Sequence, residues 1–314
     1  MISVLHLGAI DYGTALQLQQ SLVELRKHNR ISDVLLLVEH PPVITFGRNS
    51  SQKNLLASND MLQNKGVQIF ESNRGGDVTF HGPGQLVGYP IFDLRGFSPR
   101  IGAVEFVRRI EEALIRLCGD LGIASERICG LTGVWTQGSK PASCTTDELQ
   151  PKAAETQGKT SVGEQRKIAA IGIHISRGVT SHGFALNVST DLDYFKLIIP
   201  CGITDRPVTS ITQELAGKLP VPTMDQVAHA VSLNFGRVFA QQMLWLESIN
   251  ALLSTTVSSE SEAQSDSNAT SNKDVLPTES TTIGVPLKVP REVRDLRHEQ
   301  TAPQSSSEDE IFLA

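Results

Sequence analysis

The sequence contains no apolar run that approaches the roughly 20 residues a membrane-spanning helix needs, so no spanning segment is predicted. The first residues, Met1-Ile-Ser-Val-Leu-His-Leu, lack the basic stretch, long apolar core and small-residue cleavage site of a secretory signal. No basic stripe is present, and the formal net charge of −6 argues against nucleic acid as the main partner. These absences predict a cytoplasmic protein that does not cross a membrane or bind nucleic acid.

Cysteine is scarce, and two common catalytic motifs are missing. The irregular spacing of Cys118, Cys129, Cys144 and Cys201 matches neither a zinc knuckle nor a disulfide framework, and in a reducing compartment we expect all four to be free thiols. There is no Gly-x-x-x-x-Gly-Lys-Ser/Thr phosphate loop and no Gly-x-Ser-x-Gly hydrolase elbow. The sequence therefore does not support P-loop nucleotide chemistry or a serine hydrolase.

Hydrophobic residues make up only 39% of the chain, which is low for one compact unit and indicates a part that does not fold. The composition changes after Leu253, because residues 254–314 are rich in Ser, Thr, Pro and acidic side chains. This stretch has five Lys/Arg and eleven Asp/Glu, so it accounts for the whole net charge of −6. We predict a folded domain over residues 1–253, a flexible insertion within it at 137–165, and a disordered acidic tail at 254–314.

Within the predicted domain, strand and helix patterns mix without regular alternation. Apolar residues at helical spacing predict a helix from Val104 to Leu121, and a second, long amphipathic helix is predicted over Asp225 to Leu246. Ile168–Ile175 and Phe184–Val188 predict a pair of strands, and a short helix is predicted over Asp191–Ile199, before Pro200. This irregular order favours an α+β fold over a doubly wound one.

The densest motif is Arg74-Gly-Gly-Asp-Val-Thr-Phe-His-Gly-Pro-Gly-Gln85, which holds four glycines and a proline in twelve residues. Glycine has no Cβ and tolerates positive φ, so other groups can approach its backbone closely. A plain tight turn needs only one or two glycines. The segment therefore predicts a ligand-binding backbone whose free peptide N–H groups are candidates for holding an oxyanion.

Cys201 lies between Pro200 and Gly202 after a predicted helix end, which places its thiol on a defined bend. A cysteine attacks as the thiolate, so its usual pKa of about 8.5 must be lowered by a nearby cation or N–H cluster. On sequence context alone, a nucleophile and a buried structural cysteine are equally supported. Lys167 precedes an apolar strand, where it is either a solvated flank or an ammonium that stabilises a thiolate.

The histidines offer no metal site. His182 precedes Gly183 at the start of a strand, which suits a ligand contact, whereas His174 alternates with apolar neighbours as a strand-face residue does. A site made of His81, His182 and Cys201 matches no compact ligand spacing, so no metal is predicted.

Five blocks in a fixed order resemble a known family. They are Glu39-His-Pro-Pro-Val-Ile-Thr-Phe-Gly-Arg48, the segment from Arg74 to Gln85, Lys167-Ile-Ala-Ala-Ile-Gly172, His182-Gly-Phe-Ala-Leu-Asn-Val-Ser-Thr-Asp-Leu192 and Pro200-Cys-Gly-Ile203. Together they are similar to the lipoyl(octanoyl) transferases of lipoate biosynthesis, over roughly residues 4–245. The long 137–165 stretch and the acidic tail depart from the family pattern but touch none of these blocks.

The resemblance implies a single α+β domain like the catalytic domain of biotin and lipoate ligases, with a mixed sheet flanked by helices. It implies an acyltransferase of protein lipoylation that needs no cofactor. Octanoyl-acyl-carrier protein would be the donor. The acceptors would be lysines of lipoyl domains in the 2-oxoacid dehydrogenase complexes and in the glycine cleavage H protein.

The resemblance also implies roles for particular residues. Cys201 matches the nucleophile that carries the acyl group as a thioester, and Lys167 matches the lysine that lowers the pKa of that cysteine. The implied substrate-binding residues are Arg74, Gly75, Gly76, Asp77, Val78, Thr79, Phe80, His81, Ala170, Ile171, Gly172, Gly183, Phe184 and Ala185. Two alternatives stay open: an ATP-dependent lipoate or biotin-type ligase, and a non-catalytic protein that binds lipoyl domains or acyl carriers.

Overall fold

A computed structural model describes residues 1–137, 165–216, 220–254 and 310–313 of the chain. Most of the predicted insertion, most of the predicted tail and Cys144 lie outside these described residues. Within the described ranges, every helix is too short or too polar to cross a membrane.

The described residues include twelve strands and five α-helices, besides a helical segment at 249–254. The strands are β1 (Ile2–Ala9), β2 (Asp33–Glu39), β3 (Val43–Phe46), β4 (Gln68–Glu71), β5 (Thr79–His81), β6 (Gln85–Ile91), β7 (Ser125–Ile128), β8 (Leu131–Thr136), β9 (Lys167–Ser176), β10 (Val179–Asn187), β11 (Met243–Trp245) and β12 (Glu310–Leu313). The helices are α1 (Tyr12–Lys27), α2 (Asn59–Asn64), α3 (Ala103–Asp120), α4 (Ile211–Leu215) and α5 (Met224–Phe239).

The main sheet is mixed. Its order is β11-β1-β2-β6-β10-β9-β8-β7, with β1 parallel to β11 and β2 and the other neighbours antiparallel. A small sheet, β4-β3-β5, carries the middle of the glycine-rich segment on β5, and the segment ends where β6 begins. Small and large residues alternate along β9 and β10 of the main sheet. This alternation determines where a cavity lies over the sheet.

Helices cover both faces of the main sheet. The apolar side of α3 and α5, including Phe106, Phe235 and Phe239, packs in one buried cluster with residues of β6, β9 and β10. Leu18 and Leu22 of α1 are buried in a second cluster with the opposite face of β2 and β6. This arrangement confirms the predicted α+β domain with a mixed sheet flanked by helices.

The predicted helix over Val104–Leu121 and the predicted strand pair correspond to α3, β9 and β10. The prediction of one helix over Asp225–Leu246 is wrong in its second part. Helix α5 ends at Phe239 because Ala240 adopts a left-handed conformation (φ 51°). The apolar residues that follow form β11, which pairs in parallel with β1.

Two further segments differ from the sequence predictions. The segment predicted as a helix over Asp191–Ile199 contains a shorter 3₁₀ helix, Leu192–Leu197, capped by the Asp191 side chain. Inside the range predicted as a disordered tail, β12 pairs antiparallel with the Ile173–Ser176 half of β9. A helical segment also covers residues 249–254, with Ile249 and Leu252 buried. The division of the chain at residue 253 stays a prediction.

Candidate active site

Cys201 lies on a strained turn between the two sheets. In the 3₁₀ turn Pro200–Gly202 it adopts φ 54° and ψ 24°, the left-handed region that a side chain other than glycine rarely occupies. Its backbone N–H donates to the carbonyl oxygen of Val78, at 3.1 Å. The thiol is partly exposed. This placement differs from that of a structural core cysteine and favours the nucleophile.

The other described cysteines differ from Cys201. Cys118 is buried in α3, and burial raises the pKa of its thiol to about 12, so it stays protonated. Cys129 is disulfide-bonded, so the expectation of four free thiols is wrong for this residue.

Lys167 begins β9 and directs its side chain at Cys201. The Nζ atom donates to the Cys201 Sγ atom at 3.5 Å and lies 4.8 Å from the centre of the Trp135 ring. The backbone of Lys167 is held on both sides, by Pro207 O and by the Thr209 N–H, each at 2.9 Å. Since only 6% of the residue is exposed, Lys167 is not a solvated flank.

Two residues that support Lys167 carried no sequence signal. Trp135 is buried and supplies the ring beneath the ammonium. Gly133, also on β8, has φ 127°, and a Cβ there would lie 3.3 Å from Lys167 Cε. Both positions were missed, because a tryptophan and a glycine in an apolar strand match an ordinary core pattern.

The segment after Arg74 folds over β9. The N–H of Gly75 donates to Ile173 O at 3.0 Å, and a Cβ on Gly172 would lie only 2.7 Å from Gly75 O. The Asp77 carboxylate accepts from Val78 N–H (2.7 Å), from Ser51 N–H (3.3 Å) and from the Asn54 side chain. The segment is therefore held in one conformation against the sheet.

The amides expected to hold an oxyanion are partly committed elsewhere. The N–H groups of Gly75, Val78, Gly84 and Gln85 all donate to acceptors within the protein, at 2.7–3.2 Å. These four amides are therefore occupied in this conformation, and the oxyanion role stays a prediction for the other N–H groups of the glycine segments.

A small, partly open cavity lies at Cys201. The paired residues Ala170 and Ala185 lie beside the thiol, and the next pair on the same face is Gly172 and Gly183. Because a strand rises about 3.3 Å per residue, the two pairs are about 7 Å apart. Small side chains on one face thus leave a slot over the sheet. The predicted residues that line the cavity are Arg74, Gly76, Asp77, Thr79, His81, Ala170, Ile171, Gly172, Gly183, Phe184, Ala185 and Cys201.

Three predicted substrate-binding residues do not line this cavity. Gly75 contacts β9 through its backbone, and the Val78 side chain is buried in the core of the small sheet. Phe80 stacks on Tyr194 with ring centres 4.7 Å apart. These residues shape the wall rather than the surface a ligand would contact.

Polar aromatic residues complete the wall. The sequence predicted His182 as a ligand contact from its place before Gly183, whereas Tyr12 and Tyr89 carried no such signal, and Val87 lies beside them. The Tyr89 hydroxyl is 2.7 Å from His40 Nε2, while His40 Nδ1 is 2.8 Å from Ile10 O. Since a carbonyl oxygen only accepts, His40 Nδ1 carries the proton and the Tyr89 hydroxyl donates to Nε2.

The histidines at the cavity are neutral. Burial lowers the pKa of His81 to about 3, and the neighbouring His40 contributes to the lowering. Burial also lowers the pKa of His182 to about 3, and the charge of Arg74 adds to this effect. His81 Nδ1 bonds Gln85 Oε1 at 2.8 Å, and His182 Nε2 bonds Asn73 Oδ1 at 2.7 Å. Among the residues described, no three His, Cys, Asp or Glu side chains are grouped closely enough to hold a metal ion.

A second, smaller cavity meets the first at Cys201. It shares Thr79, Ala170 and Ala185 with the first cavity and adds Lys167, Gln85, Asn187, Phe195, Pro200 and Val208. The sulfur therefore sits where two spaces join, with the Lys167 ammonium on the side of the second. This geometry suits a nucleophile that receives a group from one molecule and passes it to another.

Comparison with known proteins identifies the class to which this fold and site belong. The family model for the lipoyl protein ligase A/B catalytic domain matches residues 11–236. The chain belongs to this family, as the five sequence blocks predicted.

Close relatives narrow the class. The chain is 58% identical over 255 residues to the octanoyltransferase of Koribacter versatilis, covering 81% of this chain and 91% of the relative. It is 54% identical over 258 residues to the octanoyltransferase of Acidobacterium capsulatum, covering 81% and 96%. These relatives are acyltransferases rather than ligases by name.

Solved structures show the fold. One describes a bipartite lipoate protein ligase and its E2 lipoyl domain from Thermoplasma acidophilum, with a TM-score of 0.56 at 16% identity, covering 82% of this chain and 91% of the other. Another is a lipoate-protein ligase A bound with ATP, with a TM-score of 0.55 at 16% identity, covering 85% and 97%. At this identity the likeness confirms the predicted architecture and nothing more.

Proposed function

We propose that this acyltransferase moves an octanoyl group from an acyl-carrier-protein thioester to a lysine of a lipoyl domain, through a thioester on Cys201. The octanoyltransferase relatives at 54–58% identity support octanoyl transfer in protein lipoylation. The observation that carries the mechanism is the Lys167 Nζ atom 3.5 Å from the Cys201 sulfur, where the two cavities join.

In the first step, the Cys201 thiolate attacks the carbonyl carbon of the octanoyl thioester. The bond between that carbon and the carrier sulfur breaks, and a thioester to Cys201 forms. The Lys167 ammonium gives its proton to the departing carrier thiolate, which leaves as a thiol. One thioester replaces another, so this step needs no ATP and no cofactor.

In the second step, the amine of the acceptor lysine attacks the Cys201 thioester. A C–N bond forms, the C–S bond breaks and the Cys201 thiolate returns. The amine loses one proton, which neutral Lys167 accepts, so the enzyme regains its starting state. The product amide is more stable than the thioester, which drives the step forward.

The first cavity is the proposed place of the alkyl chain. Its floor of alanine and glycine pairs leaves room above the sheet, and apolar Val87 and Phe184 flank it. Burial contributes roughly 0.8 kcal/mol for each CH₂. A donor with two fewer carbons therefore binds about tenfold more weakly.

The protein partners follow from this reaction. The proposed donor is octanoyl-acyl-carrier protein, and the proposed acceptors are lipoyl domains of 2-oxoacid dehydrogenase complexes and the glycine cleavage H protein. The likeness to ligases of lipoyl domains supports the acceptor class more directly than it supports the donor. The cytoplasmic location stays a prediction.

Intact mass spectrometry tests the proposal. The full chain is mixed with octanoyl-acyl-carrier protein without ATP, and a mass increase of one octanoyl group on the Cys201 peptide is expected. Cys201→Ser forms no adduct. Lys167→Ala forms it slowly, because the thiolate loses its neighbouring cation and the leaving thiol loses its acid. Adding an apo lipoyl domain moves the adduct to the acceptor.

The outcomes separate this function from its alternatives. Octanoyl-lipoyl domain formed by Cys201→Ser at the wild-type rate would show that the covalent mechanism is wrong. A requirement for ATP and free acid would identify a ligase. Binding of the acceptor without any adduct or turnover would identify a non-catalytic binding protein.

A further inference from the structure

We propose that the buried guanidinium of Arg74 is a positioning charge that sets the protonation of Cys201 and Lys167 in both steps. This inference rests on the proposed function, because it concerns the same acyl-transfer site. Arg74 is not required to touch the substrate for this role. It acts through its fixed positive charge on the two residues that do.

Arg74 is a buried cation bonded to neutral groups. Its Nε and Nη2 atoms donate to Thr45 Oγ1, and Nη2 also donates to the carbonyl oxygens of Thr45 and Asp77. Its Nη1 atom donates to Gly75 O at 3.0 Å. Among the described residues, no carboxylate forms an ion pair with it, although only 8% of Arg74 is exposed.

A buried charge without an ion-pair partner is expensive unless another charge in its vicinity offsets it. Burial lowers the pKa of Arg74, and Tyr12, Cys201 and Asp77 are the groups that most oppose this effect. An arginine remains charged in proteins, so the offsetting charge must come from these neighbours. Cys201 supplies such a charge only when it is a thiolate.

The walls of the two cavities contain four groups whose charges decide the balance: Arg74, Lys167, Asp77 and Cys201. The remaining titratable wall residues are neutral. Burial lowers the pKa of both His81 and His182 to about 3, and burial raises the pKa of Tyr12 and Tyr89. Arg206 lines neither of these two cavities. It is partly exposed in a separate groove that Pro200 also lines, and its side chain is bonded to Gln165.

In the resting enzyme, the positive charges of Arg74 and Lys167 and the negative charge of the Asp77 carboxylate sum to one positive charge. A Cys201 thiolate cancels it, whereas a thiol does not. In the acyl-enzyme the thiolate is gone, and the same balance is reached only when Lys167 is neutral. Arg74 therefore favours the nucleophile in the first step and the base in the second.

Removing the charge of Arg74 reverses both preferences. In Arg74→Gln the balanced states are a Cys201 thiol at rest and a Lys167 ammonium in the acyl-enzyme, which are the unreactive ones. Removing the opposite charge, in Asp77→Asn, leaves an excess of positive charge and favours the reactive states. Arg74→Lys keeps the charge while losing the guanidinium hydrogen bonds, so it separates charge from structure.

The first experiment measures alkylation of Cys201 by iodoacetamide against pH, read from the Cys201 peptide by mass spectrometry. In Arg74→Gln the pH of half-maximal rate rises by about one unit, which is about a tenfold lower rate below that pH. Arg74→Lys keeps the wild-type midpoint, and Asp77→Asn lowers it. This assay uses no octanoyl donor, so its result does not depend on the proposed substrate.

The second experiment follows transfer from preformed octanoyl-enzyme to an apo lipoyl domain against pH. The midpoint again rises in Arg74→Gln and is restored in Arg74→Lys. Equal midpoints in wild type and folded Arg74→Gln, or equal shifts in Gln and Lys variants, overturn the role of the charge. If Arg74→Gln does not fold, an unchanged or raised midpoint in Asp77→Asn overturns it. Absence of an octanoyl adduct on wild type refutes the proposed function instead.

Discussion

Replacing Gly133 by alanine tests whether β8 positions Lys167, the proposed catalytic lysine. Gly133 has φ 127°, and a Cβ there would lie 2.6 Å from Ala169 O and 3.3 Å from Lys167 Cε. The first neighbour is backbone of the adjacent strand and cannot rotate away. The second is the stem of the side chain that reaches Cys201. The substitution therefore pushes on β9 where Lys167 begins it.

Gly130 is the matched control. It lies in the turn between β7 and β8 with φ 76°, and a Cβ there would meet no atom within 4 Å. Positive φ costs a residue with a side chain about 1–2 kcal/mol in the left-handed region of Gly130, and at least as much at the φ of Gly133. Only Gly133→Ala adds overpacking, of about 1–3 kcal/mol. At about 2–4 °C per kcal/mol, Gly133→Ala unfolds about 2–12 °C below Gly130→Ala.

Two assays separate the stability effect from the effect on the site. Thermal unfolding followed by circular dichroism gives the difference in Tm. The rate of octanoyl adduct formation on Cys201, measured well below both transitions, decreases in Gly133→Ala and stays at the wild-type value in Gly130→Ala. Equal Tm values together with equal adduct rates in the two variants would refute the claim that Gly133 provides space for Lys167.

Three further predictions concern buried polar groups. Because burial lowers the pKa of His40 to about 4 and that of His81 and His182 to about 3, the unfolded chain takes up protons first below pH 6.5. The stability that these neutral histidines contribute is thus complete above pH 6.5, and the free energy of unfolding falls by about 1.4 kcal/mol per pH unit for each histidine on acidification. In thermal melts from pH 7 to 4.5, His182→Gln makes this dependence on pH less steep. An unchanged dependence contradicts the assignment. Glu111 is fully buried and accepts hydrogen bonds from two arginines. Glu111→Gln therefore lowers the free energy of unfolding, measured in urea, by about 3 kcal/mol. A variant as stable as the wild type contradicts this. Tyr89→Phe leaves His40 Nε2 without its hydrogen-bond donor and lowers the free energy of unfolding by about 1–3 kcal/mol. The pH midpoint of Cys201 alkylation stays unchanged, because the tyrosine and the phenylalanine side chains are both neutral. A shifted midpoint contradicts this.

The sequence indicated the proposed nucleophile and lysine better than the residues that surround them. The blocks around Lys167 and Cys201 were recognisable because both lie at breaks in regular structure, beside a strand start and a Pro-x-Gly turn. Tyr89 and Trp135 gave no such signal. Each lies in an apolar strand, and its polar contact is to a residue on another element, His40 for Tyr89 and Lys167 for Trp135. Such pairings depend on strand order, which local patterns do not encode.

The error at the end of α5 has a related cause. The apolar residues Met243, Leu244 and Trp245 fit both a helical face and a short strand, and no glycine or proline separates them from the helix. The strand forms because Met243 and Leu244 of β11 pair with Ile2 and Ser3 of β1. The competing partner is more than 200 residues away in the sequence, so no local window could have revealed it.

The positions that break local rules identify the site more directly than any single motif. Among the residues that the structure describes, five other than glycine have positive φ, and three of them, Asn29, Arg177 and Ala240, lie in turns or at a helix end. The other two, His182 and Cys201, both line the first cavity.

Buried charge leads to the same place. Arg74 and Lys167 are basic residues with less than a tenth of their surface exposed; Lys167 bonds the Cys201 sulfur, and Arg74 lines the same cavity as Cys201. Backbone strain and buried charge each cost stability and persist only where the surrounding fold holds them. The two independent costs meet around Cys201, which supports the proposal that Cys201 is the nucleophile.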